Sequence, residues 1–109
     1  MQFEEVLRSM TTVLAKDPEC GYTQAHIDMC KEVLADFSRE LQGAAGSDKK
    51  IMKSVKNAVL GLNKADKKAN FTLIKTVQSA ALRAYIQKCA FEAGLAPTKE
   101  DITEAWSDW

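Results

Sequence analysis

The chain has 109 residues, 46% of them apolar and 28% charged, and its fifteen basic and fifteen acidic side chains leave no net charge. That composition fits one folded domain and excludes a disordered chain. The length excludes the class that needs metal or disulfide staples to fold, which begins below roughly 40 residues.

Three cysteines, Cys20, Cys30 and Cys89, form an odd set without C-x-x-C spacing, so no disulfide framework is expected and a reducing cytoplasm is the expected location. The opening MQFEEVLRSM places acids where a signal peptide needs positive charge. No stretch approaches the ~18 apolar residues of a membrane span, so no membrane partner is expected.

Phe3, Val6, Leu7, Met10, Val13 and Leu14 recur at helical spacing and predict a first helix over residues 2–16. Pro18 closes it, because the residue before a proline is pushed out of the α region. Thr23 is a suitable N-cap for a second helix reaching residue 42, with Ile27, Cys30, Val33, Leu34, Phe37 and Leu41 as its stripe. Gly43 stands where a left-handed cap would end it, and residues 43–46 read as a link. Ser47 or Asp48 can cap a third helix through residue 63, with Ile51, Met52, Val55, Ala58, Val59 and Leu62 on its apolar side. Gly61 costs that helix roughly 1 kcal/mol relative to alanine.

Residues 64–75 read either as a loop around Asn70 or as the start of a helix near Asp66, the loop being preferred. Thr76 then caps a fourth helix over 77–93, ended by Gly94. Leu82, Tyr85, Ile86 and Cys89 on one side and Val77, Ala80, Ala84 and Phe91 on another make it apolar nearly all round, which predicts a place in the middle of a bundle. Pro97 and Thr98 open a short final helix, with Ile102, Ala105, Trp106 and Trp109 on one face. The expected fold is all-α: a single compact bundle of four main helices plus a short C-terminal helix.

The tail DITEAWSDW, with Leu62-Asn63 and the run Leu73-Ile74-Lys75-Thr76, resembles a pattern in small uncharacterised bacterial helical proteins. The resemblance implies a bacterial, helical, cytoplasmic protein and carries no activity. Two indoles closing the end of a core account for the tail equally well.

Enzyme chemistry finds little to build on. A hydrolase triad needs a base, and His26 is the one histidine. It stands one turn before Cys30, a pair that reads as a nucleophile with its base, as half a metal site, or simply as a buried cysteine with a neighbour. No second C-x₂₋₄-C or H-x₃₋₅-H pair completes a zinc site, no Glu-x-x-His motif supports a di-iron bundle, and no glycine-rich phosphate loop occurs. The expectation is a non-enzyme without metal or cofactor.

Charge is distributed unevenly. Residues 1–47 carry a balance of minus four, residues 48–75 plus six, and residues 76–109 minus two. On the second helix Asp28, Glu32, Asp36 and Glu40 follow one another at i+4, a column in which each like-charge step costs an isolated helix a few tenths of a kcal/mol. Lys49, Lys53 and Lys56 lie opposite the apolar stripe of the third helix, with Lys50 nearby.

Three readings follow. The two faces are solvated, or attract one another across adjacent helices. Alternatively the column docks a basic partner protein, as an inhibitor or immunity protein does against a nuclease-like toxin. Or the lysine-rich segment 48–75 binds nucleic acid or another polyanion, against which stand its lack of arginine and its single aromatic, Phe71. Function by protein–protein contact is the expectation, compatible with self-association, with Asp28, Glu32, Asp36 and Glu40 as the partner-binding residues.

Overall fold

The apolar stripes become the inner faces of four helices. α1 spans Phe3–Lys16, α2 Gln24–Ala44, α3 Asp48–Lys68 and α4 Thr76–Glu92. The structure is a computed structural model that describes residues 3–96, 102–104, 106, 107 and 109, and no strand occurs among the described residues. Leu7 and Met10 of α1, Ile27, Cys30, Leu34, Phe37 and Leu41 of α2, and Ile51, Val55, Val59 and Leu62 of α3 are all buried in one core. Val13 departs from its stripe and is 39% exposed.

α2 and α3 form the most extensive pair, joined by a tight link and running antiparallel, so that Val33 meets Gly61 and Glu40 meets Asn57. Gly61 pays its helix cost for this approach: a methyl there would sit 2.9 Å from Val33 Cγ2, closer than carbons pack. Ser47 caps α3, its Oγ accepting from Lys50 N–H at 3.4 Å. The link differs from the expected one at Gly43, which lies inside α2; the left-handed residue is Gly46, at φ +81°. Ala44 is buried in the core, and that burial carries the helix past Gly43.

α3 also runs five residues beyond the expected end at Asn63. Ala65 and Asp66 continue its buried side, and Asp66 is 2% exposed. Its Oδ1 accepts from the backbone N–H of Leu73 at 3.2 Å and of Ile74 at 3.0 Å. The loop around Asn70 is therefore present but shorter than expected, and Asn70 and Phe71 both adopt left-handed φ, 55° and 60°. Such a conformation costs an L-residue roughly 1–2 kcal/mol. The carboxylate and a bond from Phe71 N–H to Asp66 O at 2.8 Å offset it and deliver Leu73 and Ile74 into the core.

α4 begins at Thr76 with Lys75 as its cap, Lys75 N–H donating to Gln78 Oε1 at 3.3 Å, so Thr76 is not the cap. It touches the other three helices, but the expected enclosure is not found, since Ala80 and Ala84 face solvent. Both are alanines, whose small methyl groups cost little in water. Gly94 follows α4 as expected. The opening of the expected C-terminal helix, Pro97 and Thr98, lies outside the described residues, as does Ala105. Residues 102–104 and Trp106 are turns, and no fifth helix occurs among the described residues.

Replacing Asp66 with alanine orphans two buried N–H donors and is expected to cost about 2–4 kcal/mol in urea unfolding, with D66N, which keeps an acceptor oxygen, recovering much of it. A loss below about 1 kcal/mol for D66A would show that the loop holds itself without the carboxylate.

Candidate functional site

The column residues all sit on the α2 surface, each with a different local arrangement. Asp28 Oδ1 accepts from Gln24 Nε2 at 3.0 Å, one turn back. Glu32 is exposed, and Asp36 pairs with Arg39 in the adjoining turn. Glu40 Oε1 accepts from Asn57 Nδ2 at 3.1 Å, across the hairpin. Glu32 and Asp36 border a groove of about 260 Å³ whose opposite wall holds Lys64 and Lys68, with Val33 and Gly61 between. Apart from Arg39, the cations beside the column are therefore supplied by the extended end of α3. Lys53 and Lys56, the cations of the alternative in which the column pairs within the chain, do not line that groove.

They line a separate, larger groove of about 610 Å³, together with Lys49, Lys50, Met52 and Trp106. The lysines are exposed, and no ion pair to any of them occurs among the described residues. Trp106 comes to this place because the tail is fastened to two helices. Asn63 Nδ2 donates to Trp106 O at 2.6 Å, and Ile102 N–H donates to Gln87 Oε1 at 3.2 Å. Arg83 bonds along the tail, from Nε to Ser79 Oγ at 3.1 Å on its own helix, then to Thr103 Oγ1 at 3.4 Å and Ser107 Oγ at 3.1 Å. It also reaches Trp109 O, and its guanidinium carbon lies 5.1 Å from the Trp109 ring centre. Thr103 is fully buried, and both tryptophans pack partly buried on the core.

The lysine segment thus has a second aromatic beside it, from a residue 43 positions after Asn63. Sequence reading missed this because periodicity reports contacts within an element. Arg83, the one arginine of α4, was also missed; a stiff multidentate donor amid apolar neighbours is what a tail rich in Ser, Thr and carbonyl acceptors needs.

His26 and Cys30 do not form a reactive pair. His26 Nδ1 accepts from Thr23 N–H at 3.0 Å, taking the role that Glu or Gln plays at the third position of a capping box. Cys30 is fully buried, and burial, with a smaller contribution from the Asp66 carboxylate, pushes its thiol from 9.0 up to about 12. Burial also raises Cys89, which is half-buried. Tyr22, whose hydroxyl donates to Met10 O at 2.9 Å, is raised to about 12, chiefly by burial. No group of three metal-ligating side chains occurs among the described residues, and none of their helices is long and apolar enough to cross a membrane. No known family, curated protein or solved structure matches the chain.

A thiol reagent at neutral pH is expected to label the half-buried Cys20 and Cys89 in the folded protein, and Cys30 only when the protein unfolds, because Cys30 is buried and held as the neutral thiol. The folded-state value of Cys30 is raised, so its contribution to stability is complete below about pH 9 and is lost as the pH climbs towards 12. Labelling of Cys30 in the folded protein as fast as Cys20 would contradict its burial.

Proposed function

We propose that this protein is a non-enzymatic interaction module of the cytoplasm that docks an oppositely charged protein surface through the α2 column Asp28, Glu32, Asp36 and Glu40. An immunity- or inhibitor-type protein works in this way, with complementary charge speeding encounter and selecting the partner. The observation that carries the reading is the separation of charge: the column and the quartet Lys49, Lys50, Lys53 and Lys56 occupy different grooves. Four aligned acids are mildly unfavourable for α2 alone, and a docking role gives them a purpose.

A second reading, polyanion binding on the lysine quartet, gains support from Trp106. An aromatic beside a cationic groove is the arrangement that stacks a base while lysines follow the backbone. Its weakness is the absence of arginine in that groove, since lysines attract phosphates without reading bases.

Reversal of Glu32 and Asp36 to lysine tests the first reading. Loss of the exposed Asp36–Arg39 pair and the new closeness to Lys64 and Lys68 are expected to cost no more than about 1 kcal/mol in thermal unfolding. In matched pull-downs from the native host, a protein held by wild type and released by E32K/D36K supports the column as the docking face. Identical retention by both baits, with both folded, removes it.

A further inference from the structure

We propose that the basic surface met by the α2 column is the lysine face of α3 in a second copy of the same chain, so that two copies pair through their α2/α3 hairpins. The inference rests on the column being a docking face and adds what it docks.

The lysine face of α3 opens, at its N-terminal end, on an apolar groove with a cationic rim. Met52 and Trp106 form its floor, and exposed lysine ammoniums stand around it with no ion pair among the described residues. The same outer side of α3 carries Leu60, a large apolar side chain that stands substantially in water, at 44% exposure. Leu60 follows Lys53 and Lys56 and precedes Lys64 and Lys67 by helical spacings, so it sits within the lysine face. A cationic face with an apolar centre fits an acidic helix surface with apolar residues beside its carboxylates. α2 has that composition: Glu32 and Asp36 border a groove with half-buried Met29 and Val33.

Symmetry makes the match reciprocal. The acidic and basic stripes both run along the hairpin, one on each helix. A half turn about an axis parallel to the hairpin lays α2 of each copy against α3 of the other at unchanged height, so Glu32 and Asp36 meet the stretch of the second copy's α3 that carries Leu60, Lys64 and Lys67, and Glu40 meets Lys56. The contact is then isologous and closes at two copies. Each helix has 21 residues, so the face is roughly 30 Å long and two helices, roughly 20 Å, wide. Two such faces bury roughly 1,200 Å² together, the lower limit for a specific interface. A weak dimer held largely by charge is the expected result, and zero net charge leaves no overall repulsion between copies.

Sedimentation velocity over a wide concentration range, at low and at physiological salt, tests this. Wild type is expected to dimerise reversibly and to dissociate as salt rises, since rim charges are screened. E32K/D36K and K64E/K67E are each expected to weaken dimerisation roughly tenfold or more. An equal mixture of the two variants is expected to restore it, because every contact then again joins opposite charges; misfolded variants could not produce that rescue. Wild type that stays monomeric throughout overturns self-pairing while leaving the column open to the host pull-down. A dimer indifferent to both reversals overturns pairing through these two faces and leaves the column to the host pull-down. Monomeric wild type that binds oligothymidylate, with an affinity falling as salt to the power of about −3 for four lysines, assigns the groove to a polyanion instead.

Discussion

A buried carboxylate governs where α3 ends, and much else follows from that position. Asp66 lies in the core and offers one oxygen to two backbone donors of the following loop. These two bonds satisfy buried donors and compensate a backbone that turns through two consecutive left-handed residues. To reach those donors Asp66 must belong to a helix continuing beyond Asn63. That continuation places Lys64 and Lys68 on a helix, opposite Glu32 and Asp36, and carries Leu73 and Ile74 into the core. The same carboxylate helps keep the Cys30 thiol neutral.

The hairpin depends equally on an absence of bulk. Gly61 lets Val33 come close, and the approach leaves a narrow groove between the α2 carboxylates and the end of α3. Asn57 reaches Glu40 along the same seam. On the other side of α3, the tail is held by Asn63 and Arg83 and brings Trp106 against the first lysines of the helix. α3 thus separates two grooves of different chemistry, one with both signs of charge and one cationic with an apolar floor.

What could be read from the sequence divides along physical lines. The class and the four helices were legible because each stripe repeats within one element, and the apolar sides of α2 and α3 bury almost residue for residue. The ends were less legible, since burial of Ala44 and of Asp66 decided them and local propensity did not register either. An aspartate in KADKK looks like one more solvated charge until Leu73 and Ile74 fold back upon it. The column was legible as a feature, but its neighbours were not, because Lys64 was expected in a loop. The cationic groove was half legible: its lysines show in the sequence, while Trp106 arrives through tertiary bonds that no periodicity encodes.

The central claim is that the α2 carboxylates and the lysine quartet act on separate surfaces and do not neutralise each other within one chain. A double-mutant cycle on Glu32 and Lys53, using alanine substitutions and thermal unfolding of dilute protein at low salt, measures that coupling directly. Separate surfaces predict additive effects, with an interaction below about 0.3 kcal/mol. A coupling of about 1 kcal/mol or more would mean that the two faces stabilise one another inside the monomer, and would contradict their separation.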